Sequence, residues 1–138
     1  MAKKKVLIAG ASGLVGSAAV RQFAQLPDWE VVGVSRRTPP GIDRATFVSV
    51  DLTNQRQCAE VFSRMTDVTH VVYAAVNEKP GLEAGWKDRD QMRLNLTMLE
   101  HLFAPLQAAA TGLQHVSLLQ GTKAYGAHLG RIALPARE

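Results

Sequence analysis

The sequence predicts an α/β protein with a doubly wound parallel sheet, in one domain that spans residues 1–138. Two observations lead to this prediction. Five short apolar runs alternate with segments whose apolar residues recur at helical spacing. The first of these runs is followed at once by three glycines and a helix-forming stretch. Such alternation is typical of a parallel sheet that helices cover on both faces.

The same patterns place the individual elements. Strands are predicted at residues 6–9, 30–35, 46–50, 68–75 and 115–120. A first helix should end near residue 26, a second should run from Thr53 as N-cap to about residue 64, and a third from about residue 87 to Gly112. Pro105 should bend or break the third helix. Right-handed crossovers between these strands predict the order 3-2-1-4-5.

Composition excludes several classes of function. The net charge is +4, but no basic stripe is interleaved with aromatic residues, so we expect no nucleic-acid partner. No run is apolar and long enough for a membrane span or a signal peptide, which predicts a cytoplasmic protein without a membrane partner. Cys58 is the single cysteine, which allows no internal disulfide and fits a small buried residue. The four histidines share no metal-ligand spacing, so no metal site is expected.

The glycine turn after the first strand is the strongest functional signal. Gly10 lets the chain turn off the strand, Gly13 lets a pyrophosphate approach the backbone, and Gly16 lets the helix pack closely. The unpaired N–H groups at the helix start would face the phosphates. The alternative is a glycine turn kept only for tight strand–helix packing. We predict a dinucleotide site that includes Gly10, Ser12, Gly13, Leu14, Val15 and Gly16.

The end of the second strand predicts which dinucleotide is preferred. An acidic residue there would bind the ribose hydroxyls and repel a 2′-phosphate, but the chain has Ser35, Arg36 and Arg37. A guanidinium can bind a phosphate through two hydrogen bonds and stack on adenine. The sequence therefore favours NADP(H) over NAD(H). The alternative is that both arginines are only solvated loop residues.

Two further segments are predicted to line the cofactor. Asp51 and Leu52 end the third strand, where Asp51 can accept a hydrogen bond from the adenine amine. Asp51 is equally well explained as a turn residue before a helix cap. Ala74, Ala75 and Val76 follow the fourth strand, and their small side chains would let the cofactor ribose approach.

Taken together, these segments resemble an extended short-chain dehydrogenase/reductase of the epimerase/dehydratase superfamily. The stretch Asn95-Leu96-Thr97-Met98-Leu99 and the later Gln120-Gly121-Thr122-Lys123-Ala124-Tyr125-Gly126 narrow the resemblance to the progesterone 5β-reductase/iridoid synthase-like group. The resemblance covers nearly the whole chain. It implies a Rossmann fold, NADPH as cofactor, and hydride transfer to the β-carbon of an enone or to a carbonyl.

The resemblance also assigns tentative catalytic residues. Lys123 matches the active-site lysine of the group, which would hold the nicotinamide ribose and lower the pKa of an acid tyrosine. The alternative is an exposed loop lysine. Tyr125 matches a motif tyrosine, whereas the catalytic tyrosine of the group comes from a later segment that this chain lacks. The superfamily pairing Tyr-x-x-x-Lys is also absent, since Leu129 lies four residues after Tyr125. Plant members carry a Thr-Trp pair where this chain has residues 74–76.

These departures leave three functions open. The chain is an N-terminal cofactor domain of a reductase acting on a small-molecule substrate, a non-catalytic dinucleotide-binding module, or a fragment of a sugar-nucleotide epimerase or dehydratase. We also expect a homodimer, formed through the apolar fifth strand, the long helix or the tail after Gly121.

Overall fold

A computed structural model of the chain describes residues 3–85 and 87–135, and the side chains of Leu82, Glu83, Thr122 and Lys123 lie outside this description. The strands are β1 (Lys4–Ala9), β2 (Trp29–Ser35), β3 (Thr46–Ser49), β4 (His70–Tyr73) and β5 (His115–Leu118). The helices are α1 (Leu14–Ala24), α2 (Gln55–Phe62), α3 (Leu82–Gly85) and α4 (Arg89–Ala109), and a 3-10 helix spans Thr122–Tyr125.

The five strands form one sheet in the order β3-β2-β1-β4-β5, and every neighbouring pair is parallel. The fold class and the strand order predicted from the sequence are therefore confirmed. The register pairs Ala9 of β1 with Val34 of β2 and with Tyr73 of β4. Because these strands end at nearly the same level, the segments that follow them emerge together at the carboxyl edge of the sheet.

The core consists of two apolar layers, one on each face of the sheet. Successive residues of a strand point to opposite faces. Val6 and Ile8 of β1 thus pack on the side of α1, while Leu7 and Ala9 pack on the side of α2 and α4. Both faces are buried, which explains why β1 and β2 are apolar runs without polar alternation.

The start of α2 differs from the sequence prediction. Asn54, and not Thr53, is its N-cap, since the Asn54 side chain accepts a hydrogen bond from the Gln57 N–H at 3.0 Å. Thr53 is unavailable for this role because its hydroxyl and its N–H both donate to Asp51. The helix also ends at Phe62, slightly earlier than predicted.

Helix α4 is slightly shorter than predicted, since it spans Arg89–Ala109. Its N-cap is Asp88, which accepts hydrogen bonds from the N–H groups of Asp90 and Gln91. The expected break at Pro105 was wrong, because a single helix runs through this residue. The expected bend stays a prediction. Proline removes one intrahelical hydrogen bond. The fully buried Leu102 and Leu106 on either side of it hold the helix against the sheet.

The outer edge of β5 remains open within the described residues. Val116, Leu118 and Leu119 are 40%, 45% and 46% exposed, and β5 lies at the end of the sheet. An apolar edge strand of this kind is a template for pairing with a further strand. The expected homodimer stays a prediction.

Tyr73 generates a stability prediction. Its side chain is 5% exposed and its hydroxyl has no hydrogen-bond partner among the described residues. A buried hydroxyl without a partner is destabilising, so Tyr73→Phe should leave the free energy of unfolding at pH 7 unchanged or raise it by about 1 kcal/mol. Urea unfolding of both proteins measures this difference.

The same variant should change the alkaline stability. Burial, with a smaller contribution from Cys58, raises the pKa of Tyr73 to about 12 from its ordinary value of 10.0. The folded state then favours the neutral phenol, and the stability this provides is complete below pH 10 and lost as the pH rises toward 12. Tyr73→Phe should therefore lose less stability over this interval than the wild type. Equal losses of unfolding free energy in the two proteins would contradict a raised pKa of Tyr73 in the folded state.

Candidate functional site

The turn between β1 and α1 depends on two of its three glycines. Gly10 has a φ of +80°, and a Cβ there would lie 2.7 Å from the backbone carbonyl of Ala74. A Cβ at Gly16 would lie 1.9 Å from the Gly10 carbonyl oxygen. No side chain fits at either position without moving backbone. The fold itself therefore requires glycine at both.

Gly13 stands in a different environment. It is the N-cap of α1 with φ −79° and ψ 173°, which any residue adopts. A Cβ there would lie 3.4 Å from the Gly10 oxygen, which is an ordinary contact. The first hydrogen bond of the helix joins the Ser17 N–H to the Gly13 carbonyl at 2.9 Å. The N–H groups before Ser17 have no hydrogen-bond acceptor within the helix, and the first turn carries no acidic side chain. This end of α1 can hold an anion.

A cleft of about 170 Å³ opens at this edge of the sheet. It brings together most of the residues predicted from the sequence: Gly10, Ser12, Gly13, Ser35, Arg36, Asp51, Leu52, Ala74, Ala75 and Val76. Four predicted residues are outside its lining, although they are next to it in the chain: Leu14, Val15, Gly16 and Arg37. The lining also includes residues that were not predicted: Val34, Val50, Thr53, Asn77 and Met98.

The end of β2 is held by two hydroxyl groups. Ser35 Oγ donates to the carbonyl of Arg37, and Ser49 Oγ donates to the carbonyl of Arg36 at 3.3 Å. Both arginine side chains are exposed. The backbone is thus anchored while the guanidinium groups remain accessible. Ser49 was not predicted, and its position in register with Ser35 on the paired β3 strand is the feature that explains it.

Asp51 combines a structural role with an accessible carboxylate. Its Oδ1 accepts hydrogen bonds from the Thr53 hydroxyl at 2.7 Å and from the Thr53 N–H at 3.0 Å. These bonds, with a smaller effect of the Arg36 charge, hold the pKa of Asp51 below its usual range. Its Oδ2 makes no hydrogen bond within the described part of the chain, although Asp51 lines the cleft. The turn function therefore leaves one oxygen for a ligand.

A larger cavity of about 760 Å³ adjoins the cleft and shares Val76 with it. The loop after β4, the first turns of α4 and the tail after β5 line it, and it is open to solvent. Its lining combines apolar side chains such as Met92 and Leu129 with amide side chains such as Gln91 and Asn95. A volume of this size is typical of a small-molecule site.

The two tentative catalytic residues lie on the 3-10 helix after β5. Tyr125 is 40% exposed and lines neither the cleft nor the larger cavity, whereas its neighbour Ala124 lines the latter. The side chain of Lys123 lies outside the described residues. The structure thus brings the backbone of this helix to the cavity without bringing Tyr125 into it.

The described residues also bear on two other classes of site, metal centres and membrane spans. They contain no group of three or more His, Cys, Asp or Glu side chains that could hold a metal ion. Within the same residues, no helix combines the length and the apolar character needed to cross a membrane.

Curated relatives match most of this chain but extend far beyond it. The chain is 28% identical over 131 residues to the (S)-8-oxocitronellyl enol synthase of Catharanthus roseus, covering 89% of this chain and 31% of that protein. It is 29% identical over 126 residues to the 3-oxo-Delta(4,5)-steroid 5-beta-reductase of Arabidopsis thaliana, covering 86% and 31%. The chain therefore spans 31% of the length of both relatives.

Solved structures support the same fold. A short chain dehydrogenase family protein from Francisella tularensis superposes with a TM-score of 0.68 at 19% identity, covering 88% of this chain and 52% of that one. A short chain dehydrogenase from Leptospira borgpetersenii with bound NAD+ gives a TM-score of 0.61 at 19% identity, covering 75% and 44%.

The family model described as the NAD dependent epimerase/dehydratase family matches residues 6–136. This match includes the glycine turn and all the segments that line the cleft. Because it spans nearly the whole chain, the protein belongs to the NAD dependent epimerase/dehydratase family.

Proposed function

We propose that the cleft binds NADP(H) in preference to NAD(H), as the cofactor site of a reductase that transfers hydride to a carbonyl or enone. The observation that carries this proposal is the difference among the three glycines. Gly10 and Gly16 are required by contacts within the protein, but Gly13 is not. A bound pyrophosphate against the start of α1 supplies the missing reason for glycine at this position.

The charges around the cleft support NADP(H). No acidic side chain directly follows the end of β2, where it would meet a 2′-phosphate, and Arg36 lines the cleft instead. Its guanidinium is exposed and can form a charge-assisted contact with the phosphate. Asp51 also lines the cleft, and its Oδ2 would accept a hydrogen bond from the adenine amine.

The larger cavity supports a substrate next to the cofactor. It begins at Val76, where the cleft ends, and its mainly apolar lining suits an organic carbonyl compound. The relatives named for an enol synthase and a steroid reductase act on compounds of that kind, which motivates the proposal for this chain. Lys123 would hold the nicotinamide ribose.

A second candidate is a dinucleotide-binding module that performs no catalysis. The position of Tyr125, exposed and outside both linings, favours it. Turnover of a panel of enones by this chain, lost in Lys123→Ala, would exclude it.

Calorimetric titration with NADPH and NADH tests the cofactor preference. We expect the wild type to bind NADPH more tightly, and Arg36→Ala to weaken NADPH by about 1–3 kcal/mol while leaving NADH nearly unchanged. Arg56→Ala is the charge-matched control, because Arg56 is 90% exposed on α2 and pairs only with Glu60 in the described structure. Equal binding of the two dinucleotides by the wild type would contradict the proposal.

Alanine substitutions in the glycine turn test the pyrophosphate position. Gly13→Ala should leave the melting temperature within a few degrees of the wild type but weaken NADPH at least tenfold, because its Cβ meets the ligand and not the protein. Gly16→Ala should lower the free energy of unfolding by about 1–3 kcal/mol, because its Cβ overlaps the Gly10 carbonyl. Gly112→Ala, with open space around it, should change neither quantity.

The opposite pattern would contradict this assignment. If Gly13→Ala bound NADPH as the wild type does, no pyrophosphate would contact that backbone, and the glycine turn would serve packing alone.

A further inference from the structure

Three side-chain amides line the larger cavity, and they differ in how free they are to bind a ligand. They belong to Gln91, Asn95 and Gln120. Both hydrogens of Asn95 Nδ2 are used, because Nδ2 donates to the carbonyls of Asn77 and Gln91 at 2.9 Å. Gln120 is exposed, so its amide is hydrated. Gln91 is half-buried and remains as the amide that can meet a ligand away from bulk water.

The orientation of the Gln91 amide is fixed by the loop after β4. Its Oε1 accepts a hydrogen bond from the Lys79 N–H at 2.7 Å. The reverse orientation would place the amide hydrogens against that N–H, so the oxygen and not the nitrogen must face Lys79. No acceptor for Nε2 is present in the described part of the chain, although Gln91 lines the cavity. Two donor hydrogens are therefore available there.

Further contacts hold Gln91 in place before any ligand binds. Asp88 Oδ1 accepts a hydrogen bond from the Gln91 N–H at 3.2 Å, and Asp88 Oδ2 pairs with Lys79 Nζ at 2.6 Å. The amide packs on the backbone of Gly85, where a Cβ would lie 3.1 Å from Nε2. Gly85 lines the same cavity, so the amide lies at the cavity surface. A side chain that is ordered beforehand loses little conformational entropy on binding.

We propose that Gln91 is a specificity-determining residue whose Nε2 donates a hydrogen bond to a carbonyl oxygen of the substrate in the larger cavity. This inference rests on the proposed function, since it takes that cavity to be the substrate site. The apolar side chains of Val76, Met92 and Leu129 in the same lining would contact the hydrocarbon part of the compound. A hydrocarbon of the same shape would cover the donor without giving it an acceptor, so the cavity should prefer the carbonyl compound.

Two probes of one shape test this preference. Carvone is a cyclic enone, and limonene is a hydrocarbon with the same carbon skeleton. Titration of the full chain with each compound, followed through backbone amide shifts by NMR, gives both dissociation constants. The wild type should bind carvone more tightly than limonene.

Two substitutions at Gln91 separate its donor from its contact with the loop. Gln91→Glu keeps an oxygen for the Lys79 N–H but has no Nε2, whereas Gln91→Met removes both groups. Each variant should weaken carvone about fivefold and leave limonene within twofold. Exchange of the Lys79 amide should accelerate in Gln91→Met alone. The methionine variant also serves if the glutamate variant does not fold.

Gln120→Glu is the matched control, since it makes the same chemical change in another amide of the same cavity. Because the Gln120 side chain is exposed, this variant should leave both dissociation constants within twofold of the wild type. An equal weakening of carvone in Gln120→Glu would overturn the inference, because the added negative charge would then explain the loss.

The other outcomes separate this inference from the proposed function. Equal affinity of the wild type for carvone and limonene, or equal carvone affinity in the wild type and the Gln91 variants, would overturn the inference. A wild type that binds NADPH but no carvone would also overturn it, and the cofactor proposal would stand. A wild type that binds carvone through Gln91 but binds no dinucleotide would support the inference, and the cofactor proposal would fail.

Discussion

The close approach of α1 to the turn that precedes it is the constraint on which the rest of the site depends. The Gly16 backbone lies so near the Gly10 carbonyl that a Cβ would come within 1.9 Å of it. Gly10 in turn lies against the backbone of Ala74 after β4. These two contacts fix the start of the helix relative to two central strands. The start of α1, at Gly13, consequently lines the cleft that those strands border.

Hydrogen bonds from polar side chains hold the other segments that line the cleft. Hydroxyl groups of Ser35 and Ser49 bond the carbonyls of the two arginines, Thr53 bonds Asp51, and Asn95 bonds Asn77. Each link joins a segment that follows a strand to a neighbouring strand, turn or helix. The apolar layers on both faces keep the strands in register, and the polar links then hold the loop backbones that line the cleft.

The sequence was sufficient for the fold because its signals are periodic and local. Apolar runs gave β1 to β5, and the spacing of glycines identified the turn between β1 and α1. Features that depend on contacts between distant segments were not predictable. The pairing of Asn95 with Asn77 joins residues 18 positions apart, and the continuity of α4 through Pro105 depends on how Leu102 and Leu106 pack. The N-cap of α2 was mispredicted for a local reason, because Thr53 already donates to Asp51 and Asn54 caps the helix instead.

The central claim is that a dinucleotide lies across the carboxyl edge of the sheet with its pyrophosphate at the start of α1. Mapping backbone amide shifts during an NADP+ titration by NMR tests it most directly. The account predicts saturable changes that are largest at residues 10–17, 35–37, 51–53 and 74–77, and negligible at residues 44–46, near the opposite ends of the strands. Changes that cluster outside those four segments, or an absence of saturable changes, would contradict it.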